Sequence, residues 1–176
     1  MKSLSPIFAA LLALSAGLAF ADAQAGERRV VRTNGQGGGS ATQLERHAGQ
    51  RGSLQRGRVM VADGQGNASA ARGASLQGSD GGSLERRASR SRSDDGSRQS
   101  ERSLSATGSQ GSSLQSNGNL TYSAESGLSQ NRSTSLTNAA TGNSLQGSTS
   151  YSRDGGLTRS VACLDASGAS IACPSR

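Results

Sequence analysis

Gly52-Ser53-Leu54-Gln55, Gly82-Ser83-Leu84-Glu85, Gly111-Ser112-Ser113-Leu114-Gln115 and Gly142-Asn143-Ser144-Leu145-Gln146 are four appearances of one phrase, and their spacing decides the fold. The Ser-Leu pair recurs after 30, 30 and 31 residues. A fixed period of this length marks a repeat architecture, in which each unit is one small element that stacks on its copies. Midway through each unit comes a second break: Asp63-Gly64-Gln65-Gly66-Asn67, Asp94-Asp95-Gly96, Glu125-Ser126-Gly127 and Asp154-Gly155-Gly156. Asp and Gly together supply the local hydrogen bonds and the positive φ that tight hairpin turns need. The stretches between breaks are of strand length. They include Arg58-Val59-Met60-Val61, Leu120-Thr121-Tyr122-Ser123 and Leu157-Thr158-Arg159-Ser160-Val161, where β-branched and aromatic residues concentrate.

One unit therefore reads as two strands and two turns. The expected fold is all-β, with repeated antiparallel hairpins forming an extended meander or β-repeat sheet. Its units run 53–82, 83–112, 113–143 and 144–176, with turns near Gly64, Gly96, Gly127, Gly155 and Gly168. Upstream, Val30-Val31-Arg32-Thr33-Asn34-Gly35-Gln36-Gly37 is a worn copy of Val59 to Gly66. Because Gly37-Gly38-Gly39 weakens a strand, residues 22–52 are read as a flexible Gly/Arg-rich lead-in carrying a degenerate repeat. Ala68 to Ala74 has the composition of a short helix.

The chain opens on a bacterial-type secretory leader. Met1 and Lys2 precede the apolar run Ile7 to Leu14, and Ala19-Phe20-Ala21 offers small-x-small cleavage before Asp22, so that 1–21 is a signal peptide. The apolar stretch, broken by Ser15 and Gly17, falls short of the roughly 20 residues that span a bilayer. Export to the periplasm or the extracellular space follows, with no membrane span after cleavage. Both Phe residues lie in this leader, which leaves Tyr122 and Tyr151 as the aromatics of the mature chain. Burying one Leu is worth about 1.5–3 kcal/mol, against about 1.5 kcal/mol for ordering each residue. A few Leu per unit cannot hold a compact globule, and a largely disordered low-complexity chain is the competing expectation.

Charge is carried by arginine. Lys2 is the one lysine, and after the leader eighteen Arg face twelve acidic residues, a balance of +6. Fourteen of those Arg lie between Glu27 and Arg102. A basic surface of this kind attracts polyanions. The densest run is Arg86-Arg87-Ala88-Ser89-Arg90-Ser91-Arg92-Ser93, and Arg86, Arg87, Arg90 and Arg92 are its candidate binding residues. On a strand, Arg86, Arg90 and Arg92 share a face. The planar guanidinium fork suits carboxylate, sulfate and phosphate oxygens. Single-strand nucleic-acid recognition adds stacking aromatics, and none lies nearby, so an anionic envelope or matrix polymer fits better.

Catalytic constellations are missing from the sequence. His47 is the one histidine, Asp94 and Asp95 are adjacent and diverge on extended chain, and Gly35 to Gly39 lacks the Lys-Ser/Thr of a phosphate loop. No enzymatic role, no cofactor and no metal site is expected. Cys163 and Cys173, centred on Gly168, face each other if the chain folds there, at a separation a disulfide accepts in an oxidising compartment. That pairing sets Val161, Cys163, Ile171 and Cys173 on one face.

Gly64-Gln65-Gly66-Asn67-Ala68-Ser69-Ala70 resembles the Gln/Gly/Asn/Ala rows of curlin-type amyloid repeats, whose strand-turn-strand units stack into extracellular fibres. The likeness covers this one stretch, and its Gln and Asn positions do not recur in the other units. The expected role is a structural or assembly protein of the envelope or matrix, self-associating through its sheet edges. The alternative is an Arg-rich protein that binds an anionic polymer: polysaccharide, lipopolysaccharide or nucleic acid.

Overall fold

The computed structural model describes residues 25–34 and 37–173, so the expected leader and its cleavage point lie outside the described residues. Eleven strands follow one another in chain order in a single open antiparallel sheet. They are β1 (Gly26–Thr33), β2 (Gly39–Gly49), β3 (Gly52–Ala62), β4 (Ala68–Gly78), β5 (Ser83–Arg92), β6 (Arg98–Thr107), β7 (Ser113–Ser123), β8 (Gly127–Thr137), β9 (Ser144–Ser152), β10 (Gly156–Leu164) and β11 (Ser170–Ile171). No helix is present among the described residues, and each strand contacts only its sequence neighbours. The sheet is thus one layer thick. Cys163, 4% exposed, is the one buried apolar side chain among the described residues.

Hairpins form where the sequence places its Gly and Asp. In Gly78 to Gly82, Ser93 to Ser97, Gly108 to Ser112 and Asp165 to Ala169, the fourth residue is a glycine of φ 81–86° whose N–H donates to the carbonyl of the first. This is the three-residue loop, a type I turn closed by a left-handed glycine. The carboxylates of Asp80, Asp95 and Asp165 accept backbone N–H groups two residues on, from Gly82, Ser97 and Ser167. The third unit, 113–143, is one residue longer than the first two because its closing turn is longer. Asn138 N–H reaches the Asn143 carbonyl, and Gly142 N–H the Asn138 carbonyl, so the extra residue is absorbed there and the strand register is untouched.

Three expectations are corrected. The lead-in holds two strands, β1 and β2, paired along their length. The glycine run falls at the turn into β2, where Gly38 is needed: a Cβ there would stand 2.7 Å from the Ala62 carbonyl oxygen. Ala68 to Ala74 lies in β4, bonded on both sides, because seven Ala-rich residues are too few to nucleate a helix against two ready strands. At the C-terminus the hairpin pairs Cys163 with Ile171, not with Cys173. The three-residue loop turns about Ser167, one residue earlier than a fold centred on Gly168, so Cys173 sits diagonally past the end of β11. The disulfide forms all the same, with Cα atoms 5.3 Å apart, a pairing compatible with an oxidising, exported environment.

The register makes Gly52 the least replaceable residue of its turn. Its φ is 131° and a Cβ would fall 2.0 Å from the Gln77 carbonyl oxygen, whereas a Cβ on Gly49 meets nothing within 4 Å. Gly52→Ala is expected to cost about 2 kcal/mol or more, and Gly49→Ala less than about 0.5 kcal/mol, in denaturant titrations. Reduction of Cys163–Cys173 is expected to release about 2–3 kcal/mol of loop-closure stabilisation. Amide exchange should then rise in β11 and the adjoining end of β10 and stay unchanged in β3–β8; equal protection with and without reductant would contradict this.

Candidate functional site

Antiparallel partners project to the same side of a sheet and alternate residues to opposite sides. Following the register from strand to strand therefore sorts the side chains into two faces. One carries a row of leucines: Leu54, Leu76, Leu84, Ala106, Leu114, Leu136 and Leu145 stand side by side on β3–β9, and the row ends on Cys163 and Ile171. Two residues further along the strands, on the same face, lies a row centred on Arg56 and Arg86; two more give a row with Arg29, Arg58, Arg72, Arg102, Arg132 and Arg159. In this last row Arg29 and Arg58 stand two strands apart, as do Arg72 and Arg102, Arg102 and Arg132, and Arg132 and Arg159, and the two-strand steps are about 10 Å. Beyond it come Arg90, then Arg92 opposite Arg98.

Eleven arginines thus share the face with two acidic residues, Glu27 and Glu45. Glu45 accepts from Arg56 at 2.6 and 2.8 Å and contacts His47 at 2.5 Å, so the one histidine is engaged at the sheet surface. The Arg56 hydrogen bond, then that of His47, holds the Glu45 carboxyl below its ordinary pKa. Glu27 accepts from Gln43 at 2.8 Å. Among the described residues, Arg56 of this face forms an ion pair with Glu45. Arg58 and Arg72 lie directly opposite each other, as do Arg92 and Arg98.

The other face is of a different chemistry. From β5 to β9 it shows Ser, Thr, Asn, Gln, a glycine, Glu85, Arg87 and Glu101, with no apolar side chain. Of the four arginines read as a cluster, the structure keeps Arg86, Arg90 and Arg92 on the basic face. It places Arg87 on the polar one, where its Nε donates to Glu85 at 2.6 Å. Arg87 is removed from the site because neighbours along a strand point oppositely.

Sequence reasoning missed the arginines contributed by other strands. A signal for them exists. Between Gly52 and Gly142 every leucine and every arginine except Arg87 has an even number; after the extra residue of the third unit, Leu145, Leu157 and Arg159 are odd. A period of 30 preserves this parity, so one face collects them all. Both tyrosines are there too, Tyr122 opposite Arg98 and Tyr151 opposite Leu157. Arg98, Leu120, Tyr122 and Leu128 line a shallow hollow on this face. No group of three His, Cys, Asp or Glu stands close enough for a metal among the described residues. The chain matches no family model, no curated protein and no solved structure.

Proposed function

We propose that the protein is an exported, non-enzymatic protein of the cell envelope or matrix that holds an anionic polymer on its arginine face. The observation that carries this reading is one-sidedness: eleven arginines against two carboxylates on one face, one of which is already paired. Like charges directly opposite on a sheet destabilise it, so Arg58 against Arg72 and Arg92 against Arg98 work against the fold unless an anion lies between them. The side chains suit that task, since a guanidinium grips two oxygens of a sulfate, phosphate or carboxylate. The row of arginines runs across the strands for most of the sheet's width, about 45 Å, which favours a long ligand over a small one.

A second reading, self-association, is favoured by one feature. β11 covers only Cys163 and Leu164 of β10, so Gly156 to Ala162 form an open edge, with Leu157 and Val161 57% and 65% exposed. Such an edge can accept another strand.

A charge-neutral rearrangement tests the first reading. Arg102→Ser with Ser103→Arg, combined with Arg132→Ser with Ser133→Arg, moves two charges to the polar face and leaves net charge unchanged. Binding to dextran sulfate, titrated against salt, is expected to weaken at least about tenfold, and the salt slope to fall by about one per arginine moved. Unchanged affinity and slope would show that net charge alone drives binding. Assembly through the β10 edge would not respond to these changes.

A further inference from the structure

We infer that the arginine face docks on the surface of an anionic lipid bilayer, a conclusion that rests on the polyanion reading and names the ligand. Charge alone does not account for this face. The leucine row crosses the same side as the arginines, about 7 Å from Arg56 and Arg86 and about 13 Å from the long arginine row, and Leu76, Leu84 and Leu136 remain 47%, 38% and 46% exposed. Among the described residues nothing else covers them, because the sheet there has no second layer. A soluble sugar polymer would answer the arginines and leave the leucines in water. An anionic bilayer answers both, with headgroup charge above an apolar layer. Arg and Tyr suit that boundary, since each has an apolar stem and a polar end.

A second copy of the chain, laid face to face, is the other candidate for covering the leucines. It would bring two arginine arrays together with two carboxylates each, and charge opposes it. The polar face, with no apolar side chain from β5 to β9, is left to water.

The tyrosines supply a reporter. Tyr122 and Tyr151 are the only tyrosines of the chain, which has no Trp, and both lie on the docking face. The full exported chain is mixed with phosphatidylcholine vesicles, with and without phosphatidylglycerol, whose acyl chains are brominated. Expected are sedimentation with the anionic vesicles only and quenching of tyrosine emission by the brominated chains. Leu84→Ser with Leu136→Ser is expected to lower partition to anionic vesicles about tenfold while dextran sulfate binding is kept. The pair Leu84→Met with Leu136→Met, which keeps apolar bulk, should retain partition and guards against a folding defect.

Binding to dextran sulfate without binding to anionic vesicles overturns the bilayer inference and leaves the polyanion reading standing. Vesicle binding with no quenching, and equal for the Ser and Met pairs, also overturns it, since charge would then be the whole attraction. Concentration-dependent dimers abolished by the Ser pair would assign the leucines to a second copy instead. Failure to bind either ligand removes the polyanion reading itself.

Discussion

Every second turn in this sheet returns the chain to the same level, and the rest of the structure depends on that constraint. Leu54, Leu84, Leu114 and Leu145 stand in one row because two strands and two turns consume thirty residues, with the one surplus residue confined to the turn at Asn138–Asn143. Closing a sheet into a barrel requires the rows to stagger from strand to strand. Here they do not, and the sheet stays open. The same registry turns a local preference, such as an even-numbered arginine, into a long-range array. A one-residue slip within any strand would transfer its arginines and leucines to the opposite face.

The cost of this architecture, among the described residues, is the absence of an interior. Cross-strand pairs such as Leu54–Leu76 and Leu114–Leu136 each contribute about 0.2–1 kcal/mol, and the backbone ladders of nine neighbouring long strands supply most of the remaining order. Hydroxyl pairs add local contacts, for example Ser116 with Thr134 at 3.0 Å and Ser148 with Ser160 at 2.7 Å. Against these stand arginines facing one another, Arg58 opposite Arg72 and Arg92 opposite Arg98. A fold that keeps like charges together and leaves its leucines half covered is one whose surface the proposed anionic ligand would complete.

The strands, the turns and the cysteine pair were legible in the sequence because each is a local matter: glycine and aspartate mark the reversals, and β-branched residues fill the intervals. What stayed illegible depended on partners. Ala68 to Ala74 is helical by composition, and only pairing with β3 and β5 makes it a strand. Gly37 to Gly39 looks like a break until β3 supplies the neighbour that demands glycine. The cysteines were matched correctly but in the wrong register, because the loop type, not the midpoint, sets which residues oppose. The basic face was read from one dense run, Arg86 to Arg92, although most of its arginines come one or two at a time from other strands. Singletons thirty residues apart look like scatter until the register aligns them.

The central claim is that a long single-layer sheet is ordered in water without a core. Residue-resolved amide exchange on the oxidised chain, free of lipid and polymer, tests it most directly. Expected is protection of the paired amides throughout β3 to β9, with faster exchange at β1 and along the outer edge of β10, while the side chains of both faces stay accessible to solvent probes. Uniform exchange at the rate of an unstructured peptide across β3 to β9 would contradict the account and make the sheet a form that exists only on its ligand.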